Sequence, residues 1–483
     1  MPQKRKMRRK NNMKKMFGKL ISAALSAISA VSVMTAVPAF ADDLPSPDNE
    51  LYDGAFTYEV VDGTYTIVSC DAVIVTSIPA SRNGIAVTAI GDGAFANCSA
   101  VTSLELPTSI RSIGDNAFYN CTALKELTLP KNLQHIGAHA FMGCSALESI
   151  EIPASITEVP DFAFSMCDQL KSVTLPDTLT SIGQCAFYAC ASIEEFKLPA
   201  SLKTIGDYAM QEWYSITDID TSGNSSFIVE DGMLMNKAKT SVYRGLVDIT
   251  GDVYIPDTVT TVKGGAFSGC MKIVNLFLPE SLTVIGGDGF SYCASLRTVN
   301  FSQGLSVIEN TAFFNDTALA AISLPSTLTS IGDLAFSCCS SLERAILPEG
   351  IKTIGNGAFL ACDKLTRVSV PKSIETVGDQ AFGVTAEGDE RKKLNGFEMS
   401  VFSGSAAHKY AKKNDIPFTV VDHSLKKMAF LVIAIGLILA AIVFAVVLMT
   451  RGKKSPDHSV KKAQKEAEQK AEEDAYESII DKD

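Results

Sequence analysis

An Ala-Phe pair recurs along the chain at a fixed interval. Phe stands at 95, 118, 141, 164 and 187, with Met210 in the next place, and a second series has Phe at 267, 290, 313, 336, 359 and 382; the step within each series is 23 residues. The apolar positions around each Phe repeat with it as I-x-x-I-G-x-x-A-F-x-x-C-x-x-L-x-x-L-x-L-P, and the copy from Leu133 to Pro153 is a clean one. A constant period of this length marks stacked repeat units rather than one globular core. The L-x-x-L-x-L stretch predicts a short strand whose alternate residues face inward. The Pro that follows has no N–H for a ladder and ends the strand, and the Gly after the second Ile permits a tight turn. Ala-Phe is expected on a short helical turn, its ring filling the space between coils, a burial worth about 1.5–3 kcal/mol per Phe. One coil cannot bury both of its faces, so neighbours must stack. The expected class is an α/β repeat solenoid with a parallel sheet on one face.

Two apolar segments fall outside this pattern. Residues 1–41 carry nine Lys or Arg and no acid, then an apolar stretch from about Leu20 to Val37, then Ala39-Phe40-Ala41. Basic, apolar and small-x-small in that order predict a secretory signal peptide cleaved before Asp42. Met428 to Thr450 is 23 residues without a charge, or about 34 Å as a helix, enough for a hydrocarbon core of about 30 Å. Lys and Arg follow it at 451, 453 and 454. These features predict a single-pass plasma-membrane protein with its N-terminal portion outside and its C-terminal tail cytoplasmic.

The expected organisation is therefore a signal peptide (1–41), an N-terminal cap (42–89), a first repeat block (90–220), a hairpin-containing insertion (221–253), a second repeat block (254–383), a C-terminal cap and juxtamembrane linker (384–427), a transmembrane helix (428–450) and a tail (451–483). The insertion is read from the 57 residues between Met210 and Phe267, with a hairpin around Asp231-Gly232. The tail holds eight basic and nine acidic residues and favours helix between Val460 and Ile480.

Charge and chemistry narrow the function. The net charge of −11 becomes −20 once the nine basic residues of the first segment are removed, a surface that repels phosphate backbones and argues against nucleic acid. Of twelve cysteines, Cys98, Cys121, Cys144, Cys167, Cys190, Cys270, Cys293, Cys339 and Cys362 stand three residues after the repeat Phe, a column that Trp213, Asp316 and Thr385 complete. Parallel side chains of one column point the same way, which is poor bridging geometry; buried structural thiols are expected. Cys70, Cys185 and Cys338 lie outside it, and their pairing stays open. No C-x-x-C, nucleophile elbow or P-loop occurs, and His135 and His139 lack the Glu of a zinc protease, so no catalysis, metal or cofactor is expected.

The outward strand positions are the better candidates. One column runs Asn275, Thr298, Ala321, Arg344, Arg367 and the other Phe277, Asn300, Ser323, Ile346, Ser369. Arg and aromatic residues are enriched at binding hot spots, which singles out Phe277, Asn300, Arg344, Ile346 and Arg367 as a candidate partner-binding face.

The 23-residue unit resembles the BspA-type (Treponema pallidum type) leucine-rich repeat family of surface proteins. The resemblance spans roughly residues 52–422 and twelve coils; residues 54–91 look like that family's N-terminal capping strands and 404–421 like its closing helix and strand. It implies a leucine-rich-repeat solenoid, here followed by one C-terminal transmembrane helix. It also implies adhesion to host matrix proteins or to other cells, so the expected partner is an extracellular protein or a cell-surface glycan; the acidic charge leaves no nucleic-acid partner expected. Two rival readings are a membrane-anchored sensor signalling through its tail and a surface glycan or wall hydrolase.

Overall fold

The computed structural model describes residues 54–70, 75–387 and 390–421, all within the compact unit Asp53–Asp483. Each coil lays down two short strands rather than one. The second Ile of the repeat forms a first ladder, in which Ser112–Ile113 pairs in parallel with His135–Ile136 one coil later. The L-x-L segment forms a second ladder, as where Ser149–Glu151 pairs with Ser172–Thr174. Strands of two or three residues have no stability alone. They persist because every coil presents the same residue to its neighbour in the same register, Ile to Ile and Leu to Leu.

The third side of each coil is the Phe turn, and here the α/β expectation is corrected. The turn is not helical. Residues two before and two after Phe are left-handed: Asn116 (φ 56°) and Asn120 (φ 57°) flank Phe118, and Leu334 (φ 56°) and Cys338 (φ 62°) flank Phe336. A left-handed residue at every second flank breaks a right-handed helix. It instead turns successive alternate N–H groups toward one side, so Asn116, Phe118 and Asn120 donate to the carbonyls of Ala138, Ala140 and Met142 in the next coil. Among the described residues the protein is a β-solenoid with almost no helix. One short helix, α1 (Ala406–Lys413), belongs to the C-terminal cap.

The expected single-pass membrane topology is likewise corrected: among the described residues no helix is long and apolar enough to cross a membrane. The segment 428–450, the leader 1–41 and the tail 451–483 lie outside the described residues.

The interior follows the repeat. Within the first block the Phe rings stack face to face at 5.0–5.5 Å, from Phe95 to Phe187. The second block repeats this from Phe267 to Phe382 at 4.9–5.5 Å. The thiol column lies beside the rings. Cys144 Sγ donates to the Phe118 carbonyl at 3.2 Å and Cys339 Sγ to the Phe313 carbonyl at 3.2 Å, and the twelve cysteines are free thiols. Trp213 keeps the bond with a different donor, its indole N–H reaching the Phe187 carbonyl at 2.8 Å.

The repeat is interrupted by a hairpin of Phe227–Glu230 and Met233–Asn236, followed by Ser241–Gly245, which resumes parallel pairing with Thr261–Val262. Asp231 and Gly232 supply the two positive φ angles of the hairpin turn. The strand Met233-Leu234-Met235 is buried on both faces: Leu234 packs into the core of the first block, Met233 and Met235 into that of the second. A strand buried on both faces reads as a continuous apolar run, which is what this one is. The interruption omits one Phe turn, and Arg244 fills the gap. Its side chain is fully buried, and its guanidinium donates to the carbonyls of Trp213 (2.8 Å), Ser268 (3.1 Å) and Gly265 (3.3 Å).

The array is closed at both ends. An antiparallel pair, Phe56–Val61 with Thr64–Cys70, leads through Ile85–Ile90 into the first ladder. At the other end Glu398–Val401 and Phe418–Val420 extend the second ladder, with α1 between them, capped by the Ser405 side chain. Tyr410 of α1 stands over the last Phe turn; its hydroxyl accepts the Phe382 N–H at 3.0 Å and donates to the Phe382 carbonyl at 2.9 Å.

Candidate functional site

In the second block the outward face of the second ladder begins at Gly251–Tyr254, whose register places Asp252 beside Asn275 and Tyr254 beside Phe277. Tyr254 and Phe277 stack with centroids 4.4 Å apart and planes 6° apart. Next to them runs a polar row: Asn275 Nδ2 donates to Asp252 Oδ1 at 2.7 Å, and the Thr298 hydroxyl to Asn275 Oδ1 at 2.5 Å. Both rows come from the β-pleat, in which alternate residues share a face. Sequence reasoning missed Tyr254 and Asp252. Val253-Tyr254-Ile255-Pro256 nevertheless carries the strand signature of Leu276-Phe277-Leu278-Pro279, one 23-residue step away; the absent Phe turn before it hid the match.

The five residues singled out in the sequence fall into two groups. Phe277 is half-buried and sits in register with exposed Asn300. Arg344 and Ile346 lie on one strand and Arg367 on the next. The two groups belong to separate hydrogen-bonded sheets, one ending at Thr298–Asn300 and the other starting at Ala321–Ser323. Arg367 is ion-paired with Glu398 of the cap, and half-buried Arg344 shares its strand with Ile346.

Away from this face, the interruption gathers titratable groups. The Glu212 carboxylate accepts from the Tyr188 hydroxyl at 2.9 Å. Burial raises Glu212 to about 7, against the opposing bond from Tyr188, and burial raises Asp288 to about 6. In the thiol column burial pushes the thiols of Cys167, Cys190, Cys293, Cys339 and Cys362 up. Thiols held neutral are poor nucleophiles and poor metal ligands, so the column is packing and hydrogen bonding.

Stacked 23-residue coils with an outward ladder of side chains define a leucine-rich-repeat scaffold. Residues 88–217, 239–359 and 283–390 match the BspA type leucine rich repeat region, and the chain belongs to that family. Its fold is similar to that of a leucine rich cell surface protein from Faecalibacterium prausnitzii, 27% identical, covering 74% of this chain and 96% of that one with a TM-score of 0.55. It is also similar to the pneumococcal vaccine antigen PcpA, 20% identical, covering 76% of this chain and 96% of that one with a TM-score of 0.54. No curated protein is similar in sequence. The family is one of leucine-rich-repeat surface proteins, consistent with a binding role.

Proposed function

We propose that the chain is a non-enzymatic surface protein that binds an extracellular protein ligand, in the manner of an adhesin, through the outward face of its second ladder. The stacked Tyr254–Phe277 pair beside the Asp252–Asn275–Thr298 row carries this reading. Half-buried aromatic residues flanked by directional polar groups supply contact area at low entropic cost. Arg344 and Ile346 extend the face along the second block. The basic-then-apolar leader and Ala39-Phe40-Ala41 support export, and the F. prausnitzii relative is described as a cell surface protein.

Surface plasmon resonance of the full chain against a panel of extracellular matrix proteins tests the proposal. Binding is expected, and Tyr254→Ala with Phe277→Ala is expected to weaken it by about tenfold or more, the loss of one hot-spot contact of about 1.4 kcal/mol. Arg344→Ala is expected to weaken it less. Unchanged affinity in the aromatic double variant, with thermal unfolding preserved, would remove this face from the interaction.

A further inference from the structure

A groove of about 520 Å³ runs along the second block, on the opposite strand ladder from the face just described. It crosses four coils, at residues 307–310, 330–333, 353–356 and 376–378, and Tyr208 of the first block closes one end by reaching across the interruption. The room for Tyr208 is made by glycines: a Cβ on Gly264 would meet its ring at 2.5 Å, and one on Gly287 its hydroxyl at 2.4 Å.

The groove offers the same kind of chemistry in successive coils. One wall carries the hydroxyls of Ser330, Thr353 and Thr376, the other the side chains of Asn310, Asp333 and Asn356. The second wall is held rigid by the fold. Asn310 Oδ1 accepts the Asp333 N–H at 2.8 Å, Asp333 Oδ1 the Asn356 N–H at 2.6 Å, and Asn356 Oδ1 the Asp379 N–H at 2.9 Å. Each amide or carboxylate is thus oriented before any ligand arrives, which lowers the entropic cost of using its remaining lone pairs and N–H groups. The lining holds two carboxylates, Glu309 and Asp333, and no basic side chain.

Spacing selects the class of ligand. The coils advance by 4.9–5.5 Å, as the stacked rings show. An extended peptide repeats its same-side residues every two positions, about 6.6 Å, and falls out of step within a few coils. A β-1,4-linked pyranose chain advances by close to one coil per sugar; alternate sugars are turned over, so each polar wall meets alternating ring edges, and the hydroxyls on both edges donate and accept as this lining requires. The carboxylates disfavour uronic or sialic acids. We propose that the groove is a binding site for a linear neutral or amino-bearing β-linked glycan, with one sugar per coil. This site does not rest on the second-ladder reading and shares no residue with it.

Isothermal titration of the full chain with β-1,4-linked N-acetylglucosamine oligomers tests it. Affinity is expected to rise by about tenfold or more from the dimer to the tetramer and then level off, as four coils fill; about 1.4 kcal/mol corresponds to each tenfold. β-1,4-linked oligomannuronate and chitosan oligomers of equal length separate the charge classes: the first is expected to bind at least about tenfold more weakly and the second at least as well. Thr353→Arg places a bulky cation in mid-groove from an exposed position and is expected to abolish binding. Thr376→Arg serves the same purpose should the first variant not fold. His135→Arg, at the same ladder position of the first block, is expected to bind normally. No binding by any neutral or amino glycan, affinity independent of length, preference for the anionic oligomer, or full binding by folded Thr353→Arg or Thr376→Arg would each overturn the proposal.

Discussion

The column three residues after each Phe shows how a single side chain serves a solenoid. A thiol there donates to the carbonyl of the Phe one coil back, and Trp213 replaces the thiol with an indole N–H without losing the bond. Cys98 and Cys270, at the starts of the blocks, donate to other carbonyls, and Thr385 to Asp363; Asp316 departs furthest. It is fully buried; Oδ1 accepts the Cys293 N–H at 2.8 Å, while Oδ2 has no hydrogen-bond partner. Burial raises its acid well above the ordinary carboxylate range, so its ionisation opposes folding. The stability it contributes is complete below the unfolded pKa of about 3.9 and declines as pH climbs above that value. Asp316→Cys restores the thiol of the other coils and is expected to gain about 1–3 kcal/mol near neutral pH. The gain should shrink as acid protonates Asp316 in the wild type. Urea unfolding of both proteins at pH 4 and pH 8 measures the difference, and a gain independent of pH would show that Asp316 does not titrate with folding. The 23-residue spacing made this column legible in the sequence, whereas what each member bonds to was not, because the acceptor lies 26 residues back on a different part of the turn.

At the level of elements, the Phe turn and the interruption depart most from what the sequence announced. The left-handed residues of the turn are Asn, His, Phe, Met, Cys and Ala as often as Gly, so no glycine pattern reveals them. What holds them is the inter-coil hydrogen bonding of the neighbours. The second Ile of each repeat has an apolar signature too short to separate from a turn, and a first ladder of two-residue strands followed only from the stacking. The candidate face was legible at Phe277 and Arg344 and illegible at Tyr254. Its division into two sheets could not be read from the columns alone. Across the interruption, Glu212 of the first block and Asp288 of the second share a buried neighbourhood with Tyr188, Tyr208, Tyr214, Tyr292 and Arg244. Both acids titrate above their unfolded values, at about 7 and about 6. The stability they contribute is therefore complete below about pH 4 and lost as pH rises through 6 and 7. Amide exchange of residues 205–216 and 262–292, corrected for intrinsic rates, is expected to be about tenfold slower at pH 5 than at pH 8, the equivalent of one pKa unit. Glu212→Gln should remove most of that difference; equal exchange at the two pH values would show that the junction does not sense its carboxyls.

For the whole array, stability is carried by contacts between neighbouring coils, and the two cores meet across the interruption, where Leu234 and its flanking methionines face opposite ways. Such a molecule depends on its ends. Every Phe turn passes its N–H groups toward the following coil, so the last turn must find an acceptor that is not a coil. Tyr410 provides it, taking the place of both the next coil's carbonyl and its thiol. Tyr410→Phe leaves the buried Phe382 N–H without that acceptor and is expected to cost about 1–3 kcal/mol. The loss should appear in urea unfolding and be confined, in amide exchange, to the coils nearest the cap; protection lost evenly along the chain would contradict it.

The directional turn also has a consequence for assembly. Because donors run one way along the stack, two solenoids can in principle continue one another only head to tail. A bare terminal coil is chemically the same as an interior one and would serve as a growing tip. The hydroxyl of Tyr410 thus occupies the bonds through which a further coil would be added, and removes that tip.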